Sequence, residues 1–385
     1  MLLIRNAVVY GPDPRGKKEM LVGGNVILGI SDKIKAPQGI DIEVVDVKGL
    51  MVVPGLIDNH VHIAGAGGEG GPSSRTPELT LSRMFEGGVT SVIGCLGTDG
   101  LTRSVETVLM KAKSLRHEGA SAWIWTGAYQ VPVPTITGDA GRDIALIEEI
   151  IGVGELAISD HRSSCPTTDE LIRITAMARV GGMLGKKAGL VNIHLGDARD
   201  PFSPIHEVIK HSELKYTQFL PTHCNRNDYI FEDSKIYGKK GYVDITTSSW
   251  PYFQDEEIKP SNALKLLLEA GVPSGNITFS SDACGSLPGF DDQGRLVKLE
   301  MGFPSANLRE LADAVIKDKI PLETSLKVLT SNVATILKLP GKGFISQGMD
   351  ADLLFLDSGM KMVHLLAMGK WVVRNGEVIK KGVYE

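Results

Sequence analysis

Five residues of this 385-residue chain share a metal-ligand side chain and a common setting: His60, His62, His194, His223 and Asp282. Each ends or follows a short apolar, β-branched run, in LIDNHVH, VNIHLGD, LPTHCNRN and FSSDACGS. Side chains of a strand alternate faces with period two, so His60 and His62 point the same way and can grip one ion. A single catalytic zinc takes three protein ligands and a water. Four histidines and an aspartate exceed that need, which points to two divalent metal ions, an anionic bridge and a shared hydroxide. Zinc is the natural occupant of a histidine-rich site, with iron, cobalt and manganese left open by ligand type. His117, His206, His211 and His364 fall in helical or peripheral segments and read as solvated.

These ligands need a scaffold that delivers them to one place. Short apolar runs at 56–62, 90–96, 122–128, 150–155, 190–195, 217–223, 242–247 and 276–281 alternate with amphipathic stretches such as RSVETVLMKAKSLRHEG and TTDELIRITAMARVGG. Eight strands alternating with helices over this length predict an α/β fold, a (β/α)8 TIM barrel spanning residues 54–339. Active sites of that fold lie at the C-terminal ends of the strands, where all five ligands fall. The outer segments read differently. LLIRNAVVYG, LVGGNVILGI and IEVVDVKGLMVV at one end, and FISQGMDADLLFLD to the Asn375-Gly376 turn at the other, are short β-runs. Neither set buries much alone. The expectation is a small β-sandwich domain built from both termini, residues 1–53 plus 340–385.

Composition narrows the partners. The hydrophobic fraction of 42% allows a large core, and 44 glycines suit many tight strand–helix turns. A net charge of −5 without a basic block argues against nucleic acid and anionic membrane as partners. No apolar stretch is long enough to span a bilayer, and the N-terminus reads as a strand. Four cysteines without CxxC spacing predict free thiols and a cytoplasmic, reducing setting. Cys224 and Cys284, beside His223 and Asp282, read as small packing residues facing away from the site.

PGLIDNHVH, two later histidines, a late SSD and the GMDADLLFLD stretch resemble the amidohydrolase superfamily. Within it, GAGGEGGPSSRTPE, GVTSVIGCLGTDG, TGAYQVP, AISDHRS, THCNRN and SSDACGS resemble the isoaspartyl dipeptidase family, in order across essentially the whole chain. The resemblance implies hydrolysis of β-aspartyl dipeptides by a metal-bridged hydroxide, and a homo-oligomer. It implies that His60 and His62 hold one metal, His194 and His223 the other, with Asp282 ligating the first and acting as general base. That family commonly bridges its metals with a carboxylated lysine seven residues before the arginine of SDHR. Here that position, seven before Arg162, is Glu155. A glutamate likewise offers two oxygens and one negative charge, as in related amidohydrolases, and Gly152 and Gly154 would ease a closer backbone approach. Asp160 is the alternative bridge.

A β-aspartyl dipeptide carries one ammonium and two carboxylates, so its pocket needs one anion and two cations, with arginine suited to paired donation. Glu69, at the end of the glycine loop, and Arg162 and Arg226, just past strands four and six, match the residues that the resemblance assigns to substrate binding. Tyr129 would polarise the scissile carbonyl, and Thr98 and Ser286 would add hydrogen bonds. The rival readings are a dihydroorotase or hydantoinase acting on a cyclic amide, an N-acyl deacetylase, and a non-enzymatic scaffold of the same fold.

Overall fold

The structure is a computed structural model that describes residues 1–291 and 293–385. Its centre is a set of parallel strands: β1 (Leu56–Val61), β2 (Val89–Gly94), β3 (Ser121–Thr126), β4 (Ile150–Ile158), β5 (Leu190–Leu195), β6 (Phe219–Thr222), β7 (Val243–Thr246) and β8 (Ile277–Ser280). The first six form one sheet in sequence order, and β7 and β8 pair with each other. Backbone hydrogen bonds link the two sheets at both ends. Cys224 N donates to Asp244 O at 3.1 Å, and Asp282 N donates to His60 O at 3.1 Å. The central parallel strands therefore form a curled sheet. Every residue of β1 to β8 except Trp123 is buried, which is why these strands are near-continuous apolar runs rather than alternating ones.

Helices connect the strands, and the local sequence explains their limits. Ser104 caps the helix Val105–Glu118 by accepting from Thr107 N, and Gly119 ends it at φ 104°, in the left-handed region that glycine tolerates. Thr167 and Glu170 form a reciprocal capping box at the start of Thr168–Gly185.

Strands from the two ends of the chain share one sheet. One nine-stranded sheet takes five strands from residues 2–54 and four from residues 353–378. Its join is antiparallel, with Val53 opposite Leu354 and Val52 opposite Phe355. Period two then divides the strand Leu353–Leu356 between two cores. Leu353 and Phe355 pack with Leu2, Ile4, Met20 and Val52, while Leu354 and Leu356 join the core around the parallel strands. Among the described residues no helix is long and apolar enough to cross a membrane.

Some boundaries differ from the sequence reading. Strand four runs on to Ile158, because Leu156, Ala157 and Ile158 are buried and continue the ladder against Ile193, His194 and Leu195. Strand six begins later, after a 3₁₀ turn at Tyr216–Gln218. An antiparallel hairpin, Ser286–Phe290 with Leu296–Met301, follows β8 and was not foreseen. Its first strand, SLPGF, carries proline and glycine without alternation, whereas Val297–Met301 alternates apolar and polar residues.

The packing between β3, β4 and β5 depends on glycine. A Cβ on Gly152 would lie 2.5 Å from Leu190 O and 2.6 Å from the Trp125 ring. Gly152→Ala is expected to destabilise the fold by about 1–3 kcal/mol through overpacking. Gly275→Ala, where an added Cβ meets nothing within 4 Å, should leave the urea unfolding midpoint unchanged. Equal midpoints for the two variants would contradict this account.

Candidate metal centre

The C-terminal ends of the parallel strands bring the ligand-type residues together. His60 lies in β1 and His62 one residue beyond it, His194 is in β5, His223 follows β6, and Asp282 follows β8 by two residues. Glu155 is aimed by an irregularity in β4. Against β5, the pairing steps from Val191↔Val153 to Ile193↔Leu156, so β4 carries one extra residue there. Such a bulge re-aims a side chain, and here it turns the Glu155 carboxylate toward the histidines.

Each Glu155 oxygen faces its own pair of imidazoles. Oε2 lies 3.3 Å from His60 Nε2 and 3.8 Å from His62 Nε2. Oε1 lies 2.8 Å from His194 Nδ1 and 3.2 Å from His223 Nε2. Asp282 Oδ1 is 3.1 Å from His62 Nε2. Two atoms each bound to one tetrahedral zinc stand about 3.3 Å apart, close to the His60 and His223 spacings. Among the described residues, Glu155 Oε2, Asp282 Oδ1 and His60 Nδ1 are buried and find no hydrogen bond of good geometry. Orphaned buried carboxylate oxygens are expensive, and a cation would satisfy them. The residues fit divalent metal ions, in two groups: His60, His62, Cys95 and Glu155, and Glu155, His194 and His223.

Burial and neighbouring charges set the state of these groups. Burial opposes ionisation of Glu155, yet His60 and His194 hold its carboxyl well below the usual carboxylate range. Burial opposes ionisation of Asp282 too, and His62 beside it brings the carboxyl below its ordinary value. Burial pushes His223 down to about 3, so its ring is neutral, as a metal ligand must be. Burial, reinforced by the Glu155 charge, raises the Tyr129 phenol well above its ordinary value. Tyr129 therefore keeps its proton and remains a donor.

A cavity of about 900 Å³ opens over these groups. Glu69, Thr98, Tyr129, Arg162, Arg226 and Ser286 line it together with His62, Glu155, His194, His223 and Asp282; His60 is fully buried beneath. Glu69 Oε1 lies 3.6 Å from Arg162 Nη1, and Thr98 Oγ1 is 3.5 Å from the same nitrogen. Tyr129 OH is 2.7 Å from His194 Nδ1. Among the described residues, Ser286 Oγ is buried without a partner. His206 pairs with Tyr216 and His211 with Glu207, away from the cavity.

Three features were missed or weighed differently in the sequence. Asp160 does not reach between the imidazole pairs. It holds Arg162 through two contacts, Nε to Oδ1 at 3.0 Å and Nη2 to Oδ2 at 2.8 Å, and reaches His194 Nε2 at 2.9 Å. Glu257 also lines the cavity, and burial pushes its carboxyl up to about 8, so at neutral pH it is largely protonated. Cys95, one residue past β2, lies within the first ligand group. Its signal was positional, since it ends a buried strand beside the one that carries His60. Cys224 and Cys284 are buried, burial pushes both thiols up to about 12, and Cys224 Sγ donates to Pro221 O at 3.3 Å.

No family model matches the chain. Dihydroorotase from Staphylococcus epidermidis is 35% identical over 108 residues, 28% of this chain and only 24% of the dihydroorotase. The D-hydantoinase of a Thermus species shares the fold, with TM-score 0.69 at 16% identity, covering 99% of this chain and 97% of that one. The beta-aspartyl dipeptidase of the thermophilic keratin-degrading Fervidobacterium islandicum AW-1, solved with a beta-Asp-Leu dipeptide, is 40% identical with TM-score 0.92. That match covers 98% of this chain and 97% of the other. A second structure of that dipeptidase gives 38% identity and TM-score 0.89. With this identity sustained over nearly its full length, the chain belongs to the beta-aspartyl dipeptidase family of the amidohydrolase superfamily.

Proposed function

We propose that this protein hydrolyses β-aspartyl dipeptides with two divalent metal ions, zinc by preference, in a closed (β/α)8 barrel of residues 54–339. In this reading residues 1–53 and 340–385 form a companion β-sandwich domain, and the protein works as a homo-oligomer in the cytoplasm. The observation that carries the reading is the joining of Glu69, Arg162 and Arg226 to the histidine–carboxylate cluster in one cavity. That set offers one anion and two cations to a substrate with the opposite charges.

His60 and His62 would hold one ion and His194 and His223 the other, with Glu155 offering an oxygen to each pair. Such ions lower the pKa of a bound water and polarise a carbonyl. The protein's own groups do the rest. Glu69 takes the α-ammonium, and Arg162 and Arg226 take the carboxylates. Arg162 is pre-oriented by its two contacts to Asp160. Tyr129, kept protonated, donates to the oxygen on which charge develops, a contribution of about 3 kcal/mol in comparable oxyanion sites. Asp282 takes a proton from the nucleophile and delivers it to the departing amine. Thr98 and Ser286 complete the hydrogen bonding.

The second reading, a cyclic-amide hydrolase, draws on the dihydroorotase match. A panel of β-aspartyl dipeptides, dihydroorotate and hydantoins separates the two. Turnover of a cyclic amide above that of every dipeptide would favour the second.

An α-aspartyl isomer exchanges its free carboxylate with the scissile carbonyl. Anchoring its charged ends then misplaces the reacting carbon. The β isomer should be preferred by at least about 100-fold in kcat/KM, or ~2.7 kcal/mol. Equal values for the two isomers would sink the assignment. Glu69→Gln should narrow the discrimination against N-blocked β-aspartyl substrates while metal content, read by mass spectrometry, stays at the wild-type level.

The bridge has its own test. Because a glutamate needs no carbon dioxide adduct, activity should not respond to bicarbonate. Glu155→Ala should release at least one metal equivalent. Retention of two tightly bound ions in that variant would move the bridge elsewhere.

A further inference from the structure

We propose that Cys95 is a thiolate ligand of the ion at His60 and His62, making that site the permanent one and leaving the ion at His194 and His223 exchangeable. The inference rests on the metal-site reading above. Cys95 is fully buried one residue beyond β2, held beside β1 by its N–H donating to Val61 O at 3.0 Å. Its Sγ lies 3.6 Å from His60 Nε2 and 4.0 Å from His62 Nε2, the nitrogens that face Glu155. A sulfur and a nitrogen bound to the same tetrahedral zinc stand about 3.6 Å apart, given bond lengths of roughly 2.3 and 2.0–2.1 Å. Packing alone would be served by any small apolar side chain, without a sulfur aimed at two imidazoles. The nearby Glu155 Oε2 is buried without a well-formed hydrogen bond among the described residues. That unsatisfied oxygen is an independent sign that a cation belongs on this side of the cluster.

Ligand count makes the two ions unequal. The first group offers four donors, His60, His62, Cys95 and Glu155, while the second offers three, Glu155, His194 and His223. Four protein ligands close a tetrahedral zinc site, and three leave a position for water or substrate. The glutamate charge is shared between the two ions, so a thiolate on one side adds its full charge to the first ion alone. Sulfur also favours zinc and other softer ions over magnesium or calcium. On metal binding, the thiol proton passes to solvent and the sulfur–metal bond replaces the S–H bond.

Cobalt(II) titration of the full-length protein stripped of metal tests this. A near-ultraviolet thiolate-to-cobalt charge-transfer band should grow with the first equivalent and stay flat through the second. In Cys95→Ser the band should vanish and the first ion should bind about tenfold or more weakly, a loss that even an outer-shell partner can produce. Cys224→Ser and Cys284→Ser should keep the band. Should Cys95→Ser not fold, X-ray absorption of the wild-type zinc protein decides, with a sulfur expected at about 2.3 Å. Two bound cobalt ions without the band, a band that grows only with the second equivalent, or a zinc shell of nitrogen and oxygen alone would overturn the assignment of Cys95. Failure to bind any metal would overturn the metallohydrolase reading as well. Failure to cleave β-aspartyl dipeptides, with the cobalt band present, would sink only the substrate assignment.

Discussion

The interaction on which the rest depends is that of one buried carboxylate with four imidazoles. Glu155 is 1% exposed, and its two oxygens are divided between His60 and His62 on one side and His194 and His223 on the other. A buried anion is tolerated only where opposite charge or donors compensate its lost hydration. The four rings arrive on three different strands, so the compensation exists only when those strands are held in register. Fold and site are therefore a single constraint. The strands that deliver the histidines must curl, and β4 must carry its extra residue, for the carboxylate to sit between them.

The rest of the architecture serves that placement. Strands buried on both faces are stiff and apolar, and glycine at 152 lets β4 approach Leu190 and Trp125 more closely than a side chain would permit. The shared nine-stranded sheet ties the ends of the chain together and lends Leu354 and Leu356 to the core around the parallel strands. Rigid elements thus carry the metal-type ligands. Tyr129, Arg162 and Arg226 stand on the segments just beyond strand ends, and Glu69 on the glycine loop, where variation is tolerated and specificity resides.

Charge over the cavity is arranged with similar economy. Asp160 reaches both arginines and His194, and fixes Arg162 in a planar, two-point contact. Arg226 is held more loosely, 3.7 Å from Asp197 and 3.9 Å from Asp160. One cation is thus pre-oriented and the other is freer to adjust. That asymmetry suits a proposed substrate whose first residue is constant and whose second residue varies.

Much of this was legible in the residues themselves. Histidine spacing of two on a strand, ligand types at the ends of apolar runs, and strand–helix alternation follow from local periodicity, which sequence records directly. The β-character of both termini was legible for the same reason, as was Glu155, which stands where the family carries a lysine. Other features are set by non-local geometry. Cys95 looks like a packing residue until β2 is laid beside β1, and only then does its sulfur face two imidazoles. Asp160 reads as a bridge candidate until the fold sets His194 Nε2 against it. The bulge in β4 leaves no mark in composition, since it exists only relative to the register of β5. Sequence by itself determined which chemistry was available and which strands would carry it. Tertiary structure decided which groups share a charge, because electrostatic and coordination distances are set between strands far apart in the chain.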